Sequence, residues 1–402
     1  MRVLMIGDVG VIDDMIHIGD EAMFEAAGDE LTARGAVVTG ISSVPQETTA
    51  RYGMPAVGRI GFDGLGREAA EARLAAVWEI AAGRPALAAE DPALAVVDAV
   101  AAADGVVVAG GGNLASTWPL HVYERAALGG IAARTGTPLV VSGQTLGPSL
   151  TGRDRDLVAG LLREARLAGV REAASHRLAA DLGVRARLGV DDASFVGLPG
   201  ASGASGAFGV SASTAERTGV LVSLSLSLGG APRDETVARI ATLVDEAVDA
   251  VGAPARFHAH YGPLTGGAPR GDAVLHEEVR ARMRTASSVV PSGDSRSSAQ
   301  LARSSALLIT GRYHPAVFAA PGGVPVLGLV TDEYTATKQR GALAHWGQDA
   351  VVPITAADSG GVAQLHALVR RREEIAEEAA RRLPPHRADT AAWWDEIAAA
   401  FS

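Results

Sequence analysis

Residues 305–330, SALLITGRYHPAVFAAPGGVPVLGLV, decide the fold. An apolar run that reads as a buried strand stops at Gly311, a helix starts with Pro315 in its first turn, and a second apolar run follows at 324–330. Arg312 and His314 fall two residues apart, on one side of the extended stretch between strand and helix. Backbone amides pointing outward from such a turn suit an anion. A guanidinium adds a two-toothed grip for carboxylate or phosphate, and an imidazole adds a proton near neutral pH. The segment therefore reads as an anion site with an acid beside it.

Outward from this unit, short β-rich runs alternate with longer helical patterns. Strands are expected at 3–6, 37–41, 105–109, 138–142, 168–171 and 186–190, then at 220–226, 256–259, 287–290, 306–310, 324–330 and 350–352. Amphipathic or Ala-rich helices at 21–34, closed by Gly35, and at 155–168 lie among them. Such alternation is the mark of an α/β protein with mostly parallel, doubly wound sheets. Residues 197–217, GLPGASGASGAFGVSASTAER, are rich in Gly, Ala and Ser and fit a linker. The expected division is an acceptor-side Rossmann-like domain at 1–196, that linker, a donor-side Rossmann-like domain at 218–358 and a helical tail at 359–402. Trp393 and Trp394 would let the tail pack back on the first domain. Two Rossmann-like domains facing an interdomain cleft make a GT-B-like architecture.

At 402 residues the chain has room for two domains, each with its own core. A hydrophobic content of 48% against 20% charged residues is globular, and the formal charge of −10 argues against nonspecific nucleic-acid binding. No cysteine means no disulfide, thiolate metal site or Cys nucleophile. MRVLMIGDVG at the start reads as a first strand and not as a signal peptide. No apolar run approaches the roughly 20 residues that span a bilayer, so the expected location is the cytoplasm.

In open parallel sheets ligands bind beyond the carboxyl ends of strands, so residues there carry the candidate chemistry. After 105–109 come Gly110, Gly111, Gly112 and Asn113: the glycines permit close backbone approach, and Asn113 both donates and accepts. The alternative is a tight turn without a ligand. Gln144, after the 138–142 run, fits either a hydroxyl-rich acceptor or the satisfaction of loop amides. Asp20 fits an N-cap, or it serves, with Glu21 as the alternative, as the base on an acceptor hydroxyl. Arg171 reads as a second anion clamp or as half of an ion pair. Asp191 and Asp192 are no complete ligand set for a divalent ion. His258 and His260 alternate as a zinc pair would, yet lack a third ligand, so no metal is assigned. Lys338 either reaches the anion at Arg312 and His314 or lies solvated at the surface.

Taken in order, GDEA at 19–22, AGGGNL at 109–114, SGQTLGP at 142–148, VREAAS at 170–175, GRYH at 311–314, GVPVLGL at 323–329 and Lys338 form a set that resembles the polysaccharide pyruvyl transferase family. The resemblance implies a GT-B-like transferase that moves the enolpyruvyl unit of phosphoenolpyruvate onto two hydroxyls of a sugar, making a pyruvate ketal, in cell-envelope polysaccharide biosynthesis. It implies that Arg312 and His314 contact phosphoenolpyruvate, with His314 as general acid. Around them, Lys338 and Arg171 join as donor-binding residues, Asp20 as catalytic partner, and Gly111, Gly112, Asn113 and Gln144 as acceptor-binding residues. Phosphoenolpyruvate is a co-substrate and no cofactor is expected. The acceptor partner is a saccharide, lipid-linked or nucleotide-linked. One departure stands out: where the family pattern has a basic residue after the first strand of the second domain, 220–228 here reads VLVSLSLSL. Ser225 and Ser227 bring hydrogen bonds without charge, and His260–Gly262 with Arg270 are the candidates to compensate. Two other readings remain: a GT-B glycosyltransferase using a nucleotide sugar, with Glu333 on the ribose, and a noncatalytic relative.

Overall fold

The computed structural model describes residues 1–198 and 217–402, so most of the expected linker lies outside the described residues. In chain order the strands are β1 (Arg2–Ile6), β2 (Met15–His17), β3 (Val37–Ser42), β4 (Ala56–Gly58), β5 (Gly105–Val108), β6 (Gly111–Leu114), β7 (Leu139–Leu146), β8 (Leu167–Val170) and β9 (Arg187–Leu188). They continue as β10 (Val220–Ser223), β11 (Ala255–His258), β12 (Tyr261–Pro263), β13 (Ser287–Val290), β14 (Leu307–Thr310), β15 (Val326–Val330) and β16 (Val351–Pro353).

The chain divides into two compact units: one of Met1–Val11, Met23–Asp192 and Ala388–Ser402, the other of Ile12–Ala22 and Ala193–Arg387. The first holds a sheet in the order β4-β3-β1-β5-β7-β8-β9, with β6 against β7, all parallel. In the second the order is β13-β11-β10-β14-β15-β16, again parallel. Both sheets reverse their winding beside their first strand, between β1 and β5 and between β10 and β14. Such switch points open a crevice at the carboxyl ends of the strands. Strands β5, β10, β14 and β15 are buried along their whole length, as near-continuous Val, Ile and Leu runs in a sheet covered on both faces should be.

The division differs from the expected one at residues 12–22 and 359–387, while the return of the chain's end to the first unit is as Trp393 and Trp394 suggest. Residues 12–22 belong to the second unit because β2 pairs antiparallel with β12, with His17 opposite Tyr261 and their rings stacked 4.0 Å apart. The helical segment 359–387 also counts with the second unit. Residues 388–402 return to the first, where Trp393, Trp394, Ile397 and Phe401 join a core with Val3, Met5, Phe24, Val107 and Val140. Gly105 and Gly169 make the seats: a Cβ at either would overlap Phe401 or Trp393.

Two local expectations also shift. Strand β7 does not end at Ser142 but continues to Leu146, because Gly143 takes a left-handed φ of 55° and absorbs a register shift against β8. Gln144 is thus a buried strand residue. Helix Ile18–Ala33 starts earlier than the 21–34 pattern suggests, so Asp20 lies in its first turn and is not the N-cap.

Candidate active site

In the second unit the switch point is built around one carboxylate. Asp272 opens helix Asp272–Arg280, is wholly buried, and takes the Arg312 guanidinium through Nε (2.8 Å) and Nη2. It also accepts the amides of Leu226 (3.2 Å) and Tyr261 (2.9 Å). One turn on, Nε2 of His276 accepts the amide of Leu224 at 2.9 Å, and burial pushes that imidazole down to about 4. The loop after β10 is therefore held by Asp272 and His276, with Ser225 half-buried and Ser227 exposed. Asp272 and His276 are not among the residues the sequence points to. Their only signal is an Asp and a His four apart, on one helical face, after Gly271.

Strand β14 delivers Arg312 by way of Thr310, whose hydroxyl accepts the Arg312 amide at 2.9 Å, and Gly311, whose amide reaches the carbonyl of Ser223 at 2.9 Å. Gln339 donates to the Arg312 carbonyl at 2.9 Å, which ties in the helix Glu333–Ala344 and so Lys338. The Lys338 ammonium stands 4.9 Å over the ring of Tyr313 and 4.8 Å over that of Tyr334. Tyr313 in turn meets His314 edge-on, with centroids 5.0 Å apart. Helix Tyr313–Ala319 has only seven residues, so its dipole adds little beside these side chains. The expected two-toothed grip of Arg312 is directed at Asp272, which leaves Nη1 for a ligand.

The first turn of helix Ile18–Ala33 arrives at the same place. The Ile18 amide donates to the His260 carbonyl at 3.0 Å, and Gly19 lies so close to His314 that a Cβ would overlap the imidazole. Asp20 follows, a third exposed, 3.8 Å from Nδ1 of His17, while Glu21 is buried. Behind them His258 and His260 are buried with centroids 5.2 Å apart; burial, followed by the neighbouring His258, holds the His260 imidazole well below its ordinary range. Arg270 is engaged by the Asp13 carbonyl and Asp14. Glu333 is exposed. Thus Asp20, Arg312, His314 and Lys338, widely separated in sequence, are brought together in one unit.

In the first unit Asn113 donates to Asp8, the residue two past β1. Asp8 also receives Arg59 (3.0 Å), Arg125 (2.8 Å) and Nδ1 of His121 (3.2 Å). Both arginines bond Glu124 as well. Burial raises the Asp8 carboxyl, but Arg125, His121 and Arg59 outweigh it and hold the group well below the usual range. Of these six residues only Asn113 carries a signal in the sequence; Asp8, Arg59, His121, Glu124 and Arg125 do not stand out there. Gly111 and Gln144 pair across β6 and β7, and Gln144 donates to the Ala109 carbonyl while its buried Oε1 has no hydrogen-bond partner. Gly112 is half-buried beside them. Of the two readings of Arg171, donor-binding anion clamp or half of an ion pair, the structure has the second: it is fully buried, paired with Asp191, and bonds Thr145 at 2.9 Å. Asp192 accepts from Ser142, which receives the Trp393 indole N–H at 2.9 Å. Among the described residues no group of three His, Asp or Glu side chains is disposed to hold a metal ion, and no helix is long and apolar enough to cross a membrane.

A sequence model of the polysaccharide pyruvyl transferase family matches residues 17–333. No curated protein matches the chain. Solved structures with a similar fold include a putative UDP-N-acetylglucosamine 2-epimerase from Listeria monocytogenes (12% identity, TM-score 0.58, covering 94% of this chain and 90% of that one). Another is the UDP-GlcNAc 2-epimerase from Neisseria meningitidis bound to UDP-GlcNAc (12%, 0.55, 94% of each chain). MurG from Acinetobacter baumannii is a third (13%, 0.51, covering 98% and 99%). At these identities the likeness establishes the GT-B fold of two Rossmann-like domains.

Proposed function

The chain belongs to the polysaccharide pyruvyl transferase family, a family of transferases, and from that premise we propose that it moves pyruvate from phosphoenolpyruvate onto two hydroxyls of a saccharide. The observation that carries this reading is the contact of Gly19 with His314, which sets the Asp20 turn against an imidazole two residues from Arg312 and edge-on to Tyr313, the ring over which Lys338 stands. Phosphoenolpyruvate needs two things from a site: positive charge for its phosphate and carboxylate, and a proton for its methylene carbon. Asp272 cancels most of the Arg312 charge, so Lys338 supplies the net attraction and Nη1 of Arg312 supplies direction. His314 protonates the methylene, which becomes the methyl group and leaves an oxocarbenium-like centre at C2. One sugar hydroxyl adds there, the bond from C2 to the phosphate oxygen breaks, and the second hydroxyl closes the ketal. Of the two hydroxyl protons released, one restores the acid and the other leaves with phosphate. Asp20, partly exposed in the adjoining turn, is the base that collects the first.

Thermal stabilisation by phosphoenolpyruvate tests the assignment, since a ligand at 100 times its dissociation constant adds about 2.7 kcal/mol. The wild type and His314→Gln are expected to be stabilised, Lys338→Ala not, and only the wild type to release phosphate with an acceptor. Stabilisation by UDP-sugars alone would replace ketal transfer with glycosyl transfer.

A further inference from the structure

Trp118 is the one aromatic among the large apolar side chains that stand exposed, at 44% of its surface, among the described residues. It precedes helix Pro119–Thr135 and meets His121 edge-on, with centroids 6.2 Å apart. A single exposed apolar side chain is ordinary on a protein surface, and what sets Trp118 apart is the polar groups beside it. What surrounds it says which partner. Nδ1 of His121 faces Asp8, so the opposite ring edge, carrying Nε2, is the one turned away from the knot, and the side chain is 32% exposed. Asn113 spends its amide N–H on Asp8, which leaves Oδ1 as an acceptor beside Gly111, where a Cβ would lie 2.9 Å from it. Asp8 and Glu124 are balanced by Arg59 and Arg125, so the wall behind these groups is electroneutral.

We propose that Trp118, His121 and Asn113 form a subsite for a neutral pyranose ring, stacked by its C–H face on the indole, with hydroxyls donating to Nε2 of His121 and Oδ1 of Asn113. The face of an indole is electron-rich and attracts the polarised C–H bonds of one side of a sugar. The two acceptors take hydroxyl protons, and the balanced wall gives a uronate no advantage. Asp8 and Arg125 are positioning residues that fix the imidazole and the amide. The proposal takes from the ketal-transfer reading only that this ring is the acceptor; binding itself does not depend on it.

The test is saturation-transfer NMR with methyl β-D-galactopyranoside, methyl β-D-glucopyranoside and methyl β-D-glucuronide, on the wild type, Trp118→Ala and Trp118→Phe. Melting curves of both variants show that each is folded, and Trp118→Phe keeps a ring in place against His121. At least one neutral glycoside is expected to bind through its ring C–H protons, about tenfold more weakly to Trp118→Ala and nearly unchanged to Trp118→Phe. No binding of either neutral glycoside, binding indifferent to Trp118→Ala, or preference for the glucuronide would overturn the proposal. Phosphoenolpyruvate stabilisation, measured alongside, separates the two readings. If it is absent while the glycoside binds, the transfer reading falls and the subsite stands; the reverse pattern removes only the subsite.

Discussion

Each sheet ends at its switch point in a knot of arginine and carboxylate, and the two knots differ in what they leave unspent. In the first unit Asp8 and Glu124 face Arg59 and Arg125, two charges against two, and Asp8 accepts from four side chains. In the second, Asp272 absorbs Arg312 and two backbone amides, while the Lys338 ammonium meets, among the described residues, the rings of Tyr313 and Tyr334 and the Tyr334 hydroxyl, 3.3 Å away. A balanced knot organises dipoles, which suits hydroxyls; a knot with a spare ammonium attracts an anion. On the proposed assignment, the division of labour between acceptor and donor is thus a matter of one uncompensated charge.

Cutting each knot at its carboxylate should expose the difference most strongly. Asp272→Ala leaves the Arg312 fork and the amides of Leu226 and Tyr261 without their acceptor, at a position where the carboxylate itself is wholly buried. Loss of one partner from such a buried pair costs about 3–5 kcal/mol. Asp8→Ala should cost less, about 1–3 kcal/mol, since Arg59 and Arg125 retain Glu124 and the site is partly open. Urea unfolding of both variants checks the order. Equal losses would mean that Asp8 is as indispensable as Asp272, and the contrast between the knots would fail.

A sharper probe leaves both knots intact. Gly19→Ala places a methyl where the His314 imidazole lies, so the acid must move. Displacement of a catalytic group by about 1 Å costs on the order of 10²-fold in rate. The expected result is a kcat drop of that size, with phosphoenolpyruvate stabilisation kept because Lys338 is untouched. An unchanged kcat would detach the Gly19 turn from the chemistry.

What the sequence made legible follows from how locally each feature is written. The two sheets are spelled in runs such as VVV at 106–108 and LLIT at 307–310, and the donor-side residues sit directly after a strand, where topology puts ligands. Asp272 and His276 leave little sequence signal because three of their four partners are 40 or more residues away and three of the four are backbone amides, which leave no mark on residue identity. Residues 12–22 were assigned to the wrong body for a related reason: β2 and β12 are three-residue strands paired across the chain, too short to show a period. Arg171 carried the right chemistry for an anion, but Asp191, 20 residues on, had already taken it. Nothing in the sequence distinguishes Trp118, because exposure cannot be read from a single indole.

The smallest expected effect sets two carboxylates of the first unit against each other. Burial, reinforced by the adjacent Asp191, pushes the Asp192 carboxyl up to about 7, whereas Asp8 is held low by its arginines despite burial. In the unfolded chain both titrate near 3.9. Between that value and about 7 the folded protein therefore keeps a proton on Asp192 that the unfolded chain has lost, and stability falls as pH rises through this window. Asp8 acts in the opposite sense: its contribution is complete above its unfolded pKa and disappears as acid protonates it in the folded state. The urea midpoint should decline from pH 5 to pH 7.5 in the wild type, and Asp192→Asn should flatten that decline while leaving the acid limb intact. The amide keeps an acceptor for the Ser142 hydroxyl and removes only the proton equilibrium. A decline that persists in Asp192→Asn would assign the slope to another group and leave the C-terminal helix, whose Trp393 bonds Ser142, indifferent to that proton.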